Sequence, residues 1–219
     1  MLKIEFEGTD GAGKTTALKY FIEQARAKGL SVAETREVGN PNVPSCVKMR
    51  EFVLDPKNNL RGETMEFIFS AMRYENDLWL QNLKNGPNRP DFVVSDRGWL
   101  SHLSYTDHNV SVEFTEALYN GVMEKSTLLP DVVIYFKVDT QTALQRRVKR
   151  GEGMMDAIEM KGIGYQELVR GSFEKYIKSS EGKFKVFTVD ANQDIDSVRR
   201  QMDVILNSLS PSQSAAASL

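Results

Sequence analysis

A glycine-rich segment near the N-terminus limits the folds that this chain can adopt. Residues 8–15 read GTDGAGKT, which satisfies the pattern G-x-x-x-x-G-K-[ST] in full. Residues 2–7 alternate apolar and charged side chains before it and predict a short strand. Apolar residues then recur at helical spacing, at Leu18, Phe21, Ile22 and Ala25. A strand, a glycine-rich loop and an amphipathic helix in this order predict a phosphate-binding loop.

This loop carries the groups needed to hold a nucleoside triphosphate. Its glycines let the backbone curl so that N–H groups face phosphate oxygens, and the following helix adds its positive dipole end. Lys14 would supply a cation for the β- and γ-phosphates, and the Thr15 hydroxyl could ligate Mg²⁺. The residues expected to bind ATP are Gly8, Gly11, Ala12, Gly13, Lys14, Thr15 and Thr16. The alternative is a glycine-rich turn that merely joins strand to helix.

The rest of the chain predicts an α/β fold of the P-loop NTPase type. Further strands are predicted at 31–35, 92–95, 132–138 and 184–189, and helical patterns lie between them. We therefore expect a parallel five-stranded sheet with helices on both faces. A length of 219 residues suits one kinase domain, placed at 1–209.

Two segments lack a regular pattern. Residues 150–164 are rich in glycine and methionine and are expected to form a mobile lid. Residues 210–219 are rich in serine and alanine, and we expect this tail to be disordered.

Composition narrows the class of partner. Twenty-eight basic residues against thirty acidic ones give a net charge of −2, which does not favour a nucleic-acid polymer. Cys46 is the only cysteine, so an intrachain disulfide is impossible and a reducing compartment is expected. No apolar run approaches membrane-spanning length, so we expect a cytoplasmic protein without a membrane partner.

A phosphate-binding loop alone does not identify the acceptor. No N-K-x-D motif, which would recognise guanine, follows a predicted strand.

Five segments resemble the thymidylate kinase family in sequence and order. They are FEGTDGAGKTT at 6–16, TREVG at 35–39, FSAMR at 69–73, SDR at 95–97 with Ser101 and Tyr105, and more weakly VDA at 189–191. The resemblance implies phosphoryl transfer from ATP and Mg²⁺ to a deoxynucleoside monophosphate, with dTMP the expected acceptor. It also implies a homodimer.

Two of these segments have a chemical logic of their own. Phe69 and Arg73 lie four residues apart on a predicted helix and share a face, so an aromatic plate and a guanidinium stand together. The resemblance puts Phe69 on the thymine ring and Arg73 on its exocyclic oxygen. The alternative makes Phe69 a core residue and Arg73 a surface charge.

Asp96 and Arg97 follow a predicted strand, at the edge of the sheet where α/β proteins bind ligands. Arg97 would clamp the acceptor phosphate, and Asp96 would hold a magnesium-bound water or orient the attacking phosphate. Alternatively, the pair forms a structural salt bridge with each other.

The remaining site residues follow from the resemblance. Asp10, an acid inside an anion-binding loop, is expected to meet the 3′-hydroxyl of the acceptor. Glu37 is expected to hold magnesium-bound water. Arg36, Ser101 and Tyr105 are assigned to acceptor binding and Ala191 to the adenine. Tyr105 could equally be a plain core aromatic.

The charge of the transferring group must also be neutralised. Some family members carry an arginine in the loop, where this chain has Gly11. Basic residues cluster instead at Arg146, Arg147, Lys149 and Arg150. Arg146 and Arg150 share a helical face and are expected to close over the phosphates. The alternative is a solvated basic face.

Several departures from the family leave the acceptor open. Val38 and Gly98 replace a proline and a tyrosine, Ala157 follows Asp156 where an arginine is usual, and Met160 stands near a family tyrosine. One alternative is a kinase for another deoxynucleoside monophosphate or for a free deoxynucleoside. The latter would need an acid near Arg73, for which neither Glu75 nor Asp77 has compelling spacing. Another is a nucleotide-binding regulator without catalysis.

Overall fold

The computed structural model describes residues 1–106, 108, 110–111, 113–114, 117–118, 129–149 and 162–209. Its strands are β1 Leu2–Glu7, β2 Val32–Arg36, β3 Phe92–Asp96, β4 Val132–Lys137 and β5 Lys185–Asp190. Its helices are α1 Lys14–Ala27, α2 Pro44–Leu54, α3 Gly62–Asn85, α4 Trp99–Thr106, α5 Thr140–Lys149, α6 Gly162–Ser179 and α7 Ile195–Leu209. Arg150, Asp156, Ala157, Met160, most of the predicted lid and the whole predicted tail lie outside the described residues.

The five described strands form one parallel sheet in the order β2-β3-β1-β4-β5. On one face, α1 and α7 pack against apolar side chains that include Ile4 and Ile134. On the other face, α3, α4 and α6 pack against Val93, Val133 and Tyr135. The predicted α/β fold, with helices covering both faces, is confirmed. No helix among the described residues combines the length and apolarity needed to cross a membrane.

Apolar and charged side chains alternate along β1, and the structure buries both sets. Ile4 and Phe6 point into the core beneath α1 and α7. Lys3, Glu5 and Glu7 point to the other face, which is also covered, and are at most 3% exposed. Because β1 lies in the middle of the sheet, its charged side chains are buried instead of solvated. Lys3 Nζ and Glu5 Oε1 pair at 2.6 Å, which offsets part of the desolvation cost.

The strand bounds agree with the predicted ones to within one residue at either end. Helices α2 and α4 were not predicted. Both matter for function, since α2 and α3 pack together beside the carboxyl end of β2, and α4 follows β3 directly. The carboxyl ends of β1, β2 and β3 therefore face a space bounded by α2, α3 and α4.

Candidate active site

The phosphate-binding loop joins β1 to α1, and α1 begins at Lys14 itself. Lys14 Nζ donates hydrogen bonds to the carbonyl oxygens of Gly8, at 2.9 Å, and Thr9, at 2.8 Å. The side chain is buried, and burial together with the nearby charge of Arg97 lowers its pKa to about 8. The lysine thus lies folded across the loop, beside the backbone N–H groups that would face a phosphate.

Two residues predicted to serve Mg²⁺ are in contact. Thr15 Oγ1 donates to Asp96 Oδ2 at 2.9 Å, which joins the start of α1 to the end of β3. Hydroxyl and carboxylate oxygens are ligands that Mg²⁺ prefers, and this ion commonly completes its shell with phosphate oxygens and water. Within the described residues no group of three or more His, Cys, Asp and Glu side chains could hold a metal. The oxygens of Thr15 and Asp96 could hold Mg²⁺ together with phosphate oxygens and water, and this role stays a prediction.

Glu37 lies beyond β2 with its carboxylate directed at α3. It accepts a hydrogen bond from Asn76 Nδ2 at 2.8 Å, and its oxygens lie 3.6 Å from Lys3 Nζ and 3.7 Å from Arg73 Nε. Only 4% of the residue is exposed. Glu37 thus balances buried cations beneath the cavity described below, and its magnesium role stays a prediction.

Arg97 connects the phosphate loop to the next helix. Its backbone adopts a φ of 66°, a left-handed conformation that is uncommon outside glycine and marks functional sites. Its Nη1 donates to Gly8 O at 3.2 Å and to Ser101 Oγ at 3.1 Å. Its Nη2 contacts Asp10 Oδ1, so the salt-bridge partner of Arg97 is Asp10, and the alternative in which Arg97 pairs with Asp96 is wrong. The guanidinium carbon also lies 5.0 Å from the centre of the Tyr105 ring.

The acid inside the anion-binding loop is explained by this contact. Burial alone would raise the pKa of Asp10, but the charges of Arg97 and Lys14 outweigh it and hold that pKa at about 2. Tyr105 donates its hydroxyl to Asp10 Oδ2 at 3.2 Å. Tyr105 is therefore part of the polar site as well as an aromatic that packs on α6, and the interpretation as a plain core residue is wrong.

A cavity opens between the phosphate loop and helices α2, α3 and α4. Its lining comprises Asp10, Glu37, Val38, Arg50, Leu54, Glu66, Phe69, Arg73, Arg97, Gly98, Ser101, His102, Tyr105 and Thr106. Six of the seven residues predicted to bind the acceptor are in that set. Arg36 is the exception among the described residues, because its Nη2 donates to Gly39 O at 3.2 Å in the loop after β2.

The aromatic and the guanidinium predicted to read a base both face this cavity. Phe69 is 9% exposed and also packs against Cys46, Val53 and Met72, so it is a core residue and a cavity wall at once. Arg73 is 4% exposed, which excludes the surface-charge alternative. Its Nε and Nη1 make no hydrogen bond within the described part of the chain. Burial lowers the pKa of Arg73. Such a group favours a ligand that brings an acceptor.

Sequence reasoning missed two glutamates on β1 that position α4. Glu7 accepts the backbone N–H of Ser101 at 2.9 Å and also the Ser101 hydroxyl. Glu5 accepts the N–H of Trp99 at 2.9 Å. These carboxylates satisfy N–H groups that the first turn of a helix leaves unpaired. The charged alternation of β1 was the available signal, once the strand is placed in the middle of a covered sheet.

Glu5 also accounts for the glycine that follows Arg97. A Cβ atom on Gly98 would lie 2.0 Å from Glu5 Cδ, so a side chain there would require the Glu5 carboxylate to move. Glycine at position 98, where the family has a tyrosine, therefore makes room for the buried Glu5 carboxylate. The absence of a side chain at Gly98 also leaves space in the wall of the cavity.

A second glycine explains why an arginine is missing from the loop. A Cβ atom on Gly11 would lie 2.4 Å from Ala143 O, and the φ of Gly11 is 82°. Helix α5 thus packs directly on the loop at this point. Ala143 and Arg147 are four residues apart and share a face of α5, which brings Arg147 towards the loop. Consistently, the charge of Arg147 contributes to the low pKa of Asp10.

The neighbouring Arg146 faces another way. Its Nη1 donates to Ala191 O at 2.7 Å and its Nη2 to Gln193 O at 3.3 Å, in the loop between β5 and α7. Arg146 and Ala191, predicted separately as a phosphate and an adenine residue, are therefore brought together. Arg150, predicted to act with Arg146, lies outside the described residues.

Comparison with known proteins identifies the family of the chain. The family model for thymidylate kinase matches residues 6–202. A thymidylate kinase of Burkholderia ambifaria is 31% identical over 212 residues, covering 94% of this chain and 97% of the relative. One from Thermosipho africanus is 30% identical, with 93% and 96% covered, and one from Bacillus licheniformis is 26% identical, with 94% of both covered. The chain therefore belongs to the thymidylate kinase family and is an enzyme of the nucleoside monophosphate kinase class.

Proposed function

We propose that this enzyme transfers the γ-phosphoryl group of ATP, bound with Mg²⁺, to the 5′-phosphate of dTMP. The observation that carries this assignment is the position of Arg97, which contacts the phosphate loop through Gly8 and Asp10 and lines the cavity together with Phe69 and Arg73. One residue thus joins a donor site to an acceptor site. That arrangement suits direct transfer between two bound nucleotides.

The donor side holds the triphosphate through the loop backbone and Lys14. The lysine exchanges the carbonyl oxygens of Gly8 and Thr9 for phosphate oxygens when the nucleotide binds. Thr15 and Asp96 offer the oxygens for Mg²⁺, which supplies charge neutralisation at the phosphates when bound. Ala191, next to the Arg146 guanidinium, borders the adenine.

On the acceptor side, Phe69 stacks on the base and Arg73 donates to its carbonyl oxygen. Arg97 orients the acceptor phosphate, with Ser101 and Tyr105 holding its guanidinium from two sides. Asp10 accepts from the 3′-hydroxyl of the sugar. An oxygen of the acceptor phosphate attacks the γ-phosphorus in line, the bond to the bridging oxygen of ADP breaks, and no covalent enzyme intermediate forms.

Cations on α5 supply the remaining charge at the moment of transfer. Arg147 is the described arginine that shares the loop-facing side of α5 with Ala143. Arg146 and Arg150 keep the roles predicted from the resemblance, with Arg146 acting from the adenine side. Closure of a lid at about 150–164 would exclude water from the transferring group.

The resemblance also leads us to propose a cytoplasmic homodimer whose partners are nucleotides and not a nucleic-acid polymer. Residues 1–209 would form one kinase domain.

The experiment is an ADP-release assay with ATP and Mg²⁺ and separate acceptors: dTMP, dUMP, dGMP, dAMP, dCMP and thymidine. We expect turnover to be fastest with dTMP and to stop when Mg²⁺ is chelated. Preference for another monophosphate would preserve the kinase class and replace the acceptor. Turnover with thymidine alone would assign a nucleoside kinase, and no turnover with any acceptor would favour a nucleotide-binding regulator.

A further inference from the structure

The cavity contains a buried carboxylate that the proposed reaction does not use. Glu66, on α3, lines the cavity and is 3% exposed. Its Oε1 accepts a hydrogen bond from Thr106 Oγ1 at 2.9 Å. Its Oε2 makes no hydrogen bond within the described residues and lies 3.6 Å from His102 Nδ1. A carboxylate oxygen without a hydrogen bond in a buried wall is costly, so this position suits a ligand that donates to it.

The position of Glu66 on α3 relates it to the base-stacking residue. Glu66, Phe69 and Arg73 are spaced three and four residues apart and lie on one face of the helix. A flat ring on Phe69 would therefore have the carboxylate one turn before it and the guanidinium one turn after it. Both flanking groups have buried atoms without hydrogen bonds, an acceptor on Glu66 and donors on Arg73.

Helix α4 supplies a donor to the carboxylate. Burial raises the pKa of Glu66, whereas the charge of Arg73 and the hydrogen bond from Thr106 oppose that rise. His102 Nδ1 lies 3.3 Å from Thr106 Oγ1, and Thr106 donates to Glu66. Burial and the charge of Arg73 lower the pKa of His102 well below its usual value, so the imidazole is neutral. With the proton on Nδ1, the chain runs from His102 to Thr106 to Glu66, and every donor in it has an acceptor. Glu66, which lies on α3, is then also tied to α4 through Thr106.

We propose that Glu66 is a specificity-determining residue that accepts the ring N–H of the substrate base while Arg73 donates to the adjacent carbonyl oxygen. The pocket would then select a lactam edge, in which a carbonyl stands beside an N–H. Thymine, uracil and guanine have this edge. Cytosine and adenine present an amino group beside an unprotonated ring nitrogen, which would place donor against donor at Arg73. This selectivity presupposes the kinase activity proposed above.

The alternative is that Glu66 is a structural partner of Thr106 alone. In that case its second oxygen would have no effect on the choice of base, and replacing the carboxylate would alter folding without altering selectivity. The neighbouring cavity residues Phe69 and Arg73 would then bind pyrimidines of either pattern, with Arg73 meeting the O2 carbonyl of cytosine.

The test compares the ratio of kcat/KM for dTMP to kcat/KM for dCMP in the native enzyme and in Glu66→Gln. Glutamine keeps the shape and offers an amide that can present either a donor or an acceptor. We expect the native enzyme to prefer dTMP strongly and the variant to lose about 10-fold or more of this preference, through a raised KM for dTMP with an unchanged KM for ATP. Glu63→Gln is the matched control, since Glu63 is exposed in the first turn of α3.

An analogue covers the case in which Glu66→Gln does not fold, as judged by circular dichroism and thermal unfolding. N3-methyl-dTMP lacks the N–H, and the native enzyme should use it at least about 10-fold less efficiently than dTMP. Equal use of the two compounds, or a dTMP/dCMP ratio unchanged in a folded Glu66→Gln variant, would overturn the role of Glu66.

The outcomes also separate this inference from the kinase assignment. Rapid turnover of both dTMP and dCMP by the native enzyme leaves the proposed function intact and sinks the lactam selectivity. Turnover of dGMP in place of dTMP supports the lactam edge and replaces the proposed acceptor. Absence of turnover with any monophosphate overturns both.

Discussion

The proposed donor loop and the proposed acceptor cavity lie on either side of Arg97, but they are built in different ways. In the donor loop the ligand-binding groups belong mainly to the backbone, and the one long cation, Lys14, is satisfied by carbonyl oxygens of the loop itself. In the acceptor cavity the groups are buried side chains from separate helices, and atoms of Glu66 and Arg73 have no hydrogen bond among the described residues. In the proposed function the loop therefore binds phosphates whatever base they carry, whereas the buried atoms of the cavity without hydrogen bonds favour particular bases.

The largest effect should come from removing the cation of the donor loop. Lys14→Ala should lower kcat on the order of 10³-fold, because the charge on the transferring group loses a nearby donor in a water-excluded site. The measurement is steady-state ADP release at saturating ATP and dTMP. Lys19→Ala, at an exposed position on the same helix, is the control and should be unaffected. Normal turnover in Lys14→Ala would contradict the assignment of the donor site.

A smaller effect, confined to the acceptor, should follow from Arg73→Ala. Loss of a charged hydrogen bond to the base should raise the KM for dTMP about 100-fold while the KM for ATP stays unchanged. The pair of KM values, measured with each substrate varied in turn, tests whether the two regions are separate. An equal rise in both values would show that Arg73 supports the whole fold and does not read the base.

The two described arginines of α5 should divide between the regions. Arg147→Ala should lower kcat about 10- to 100-fold, because its face of the helix lies towards the loop at Ala143. Arg146→Ala should instead raise mainly the KM for ATP, since its guanidinium is bonded to Ala191 O and Gln193 O. The two substitutions serve as controls for each other. A reversed pattern, with kcat falling only in Arg146→Ala, would return the charge-neutralising role to Arg146.

The junction between the regions can be disturbed without removing a charge. Gly98→Ala should lower the free energy of unfolding by about 1–3 kcal/mol, because its Cβ atom would overlap the Glu5 carboxylate. The same displacement should raise the KM for dTMP, since Arg97 and the first turn of α4 flank this glycine. Gly171→Ala, in α6 with open space around the glycine, should be neutral or slightly stabilising. Thermal and denaturant unfolding of the two variants gives the comparison, and equal stability of the two would argue against the overlap.

The same contrast explains what the sequence could and could not reveal. The donor loop is predictable because its chemistry depends on backbone geometry, which the pattern of glycines determines locally. The role proposed for Glu66 could not be predicted, because residue type alone predicts that a glutamate is exposed and a phenylalanine buried. In the structure Phe67 is 56% exposed and Glu66 is 3% exposed. The helical phase is set by the packing of α3 against α2 and α4, two helices that the sequence pattern did not predict. The partner of Asp10 was likewise hidden, because Arg97 reaches it across 87 residues of chain.

The smallest effect concerns pH and tests whether Lys14 is protonated in the free enzyme. Its folded pKa is lowered to about 8 from an ordinary value of 10.5, so the free enzyme loses this proton between these values while the unfolded chain keeps it. Stability of the free enzyme should therefore rise with pH across that window, and affinity for ADP should fall, because the bound phosphate needs the charged amine. The loss should approach 10-fold per pH unit above pH 8. Calorimetric titration of ADP at pH 7, 8 and 9 measures it, and Lys14→Arg, which stays protonated, should show a flat profile. A constant affinity in the native enzyme would mean that the carbonyl oxygens of Gly8 and Thr9 keep Lys14 charged up to pH 9. The backbone of the loop would then fully offset the desolvation of this amine, whereas the buried atoms of Glu66 and Arg73 have no hydrogen bond among the described residues.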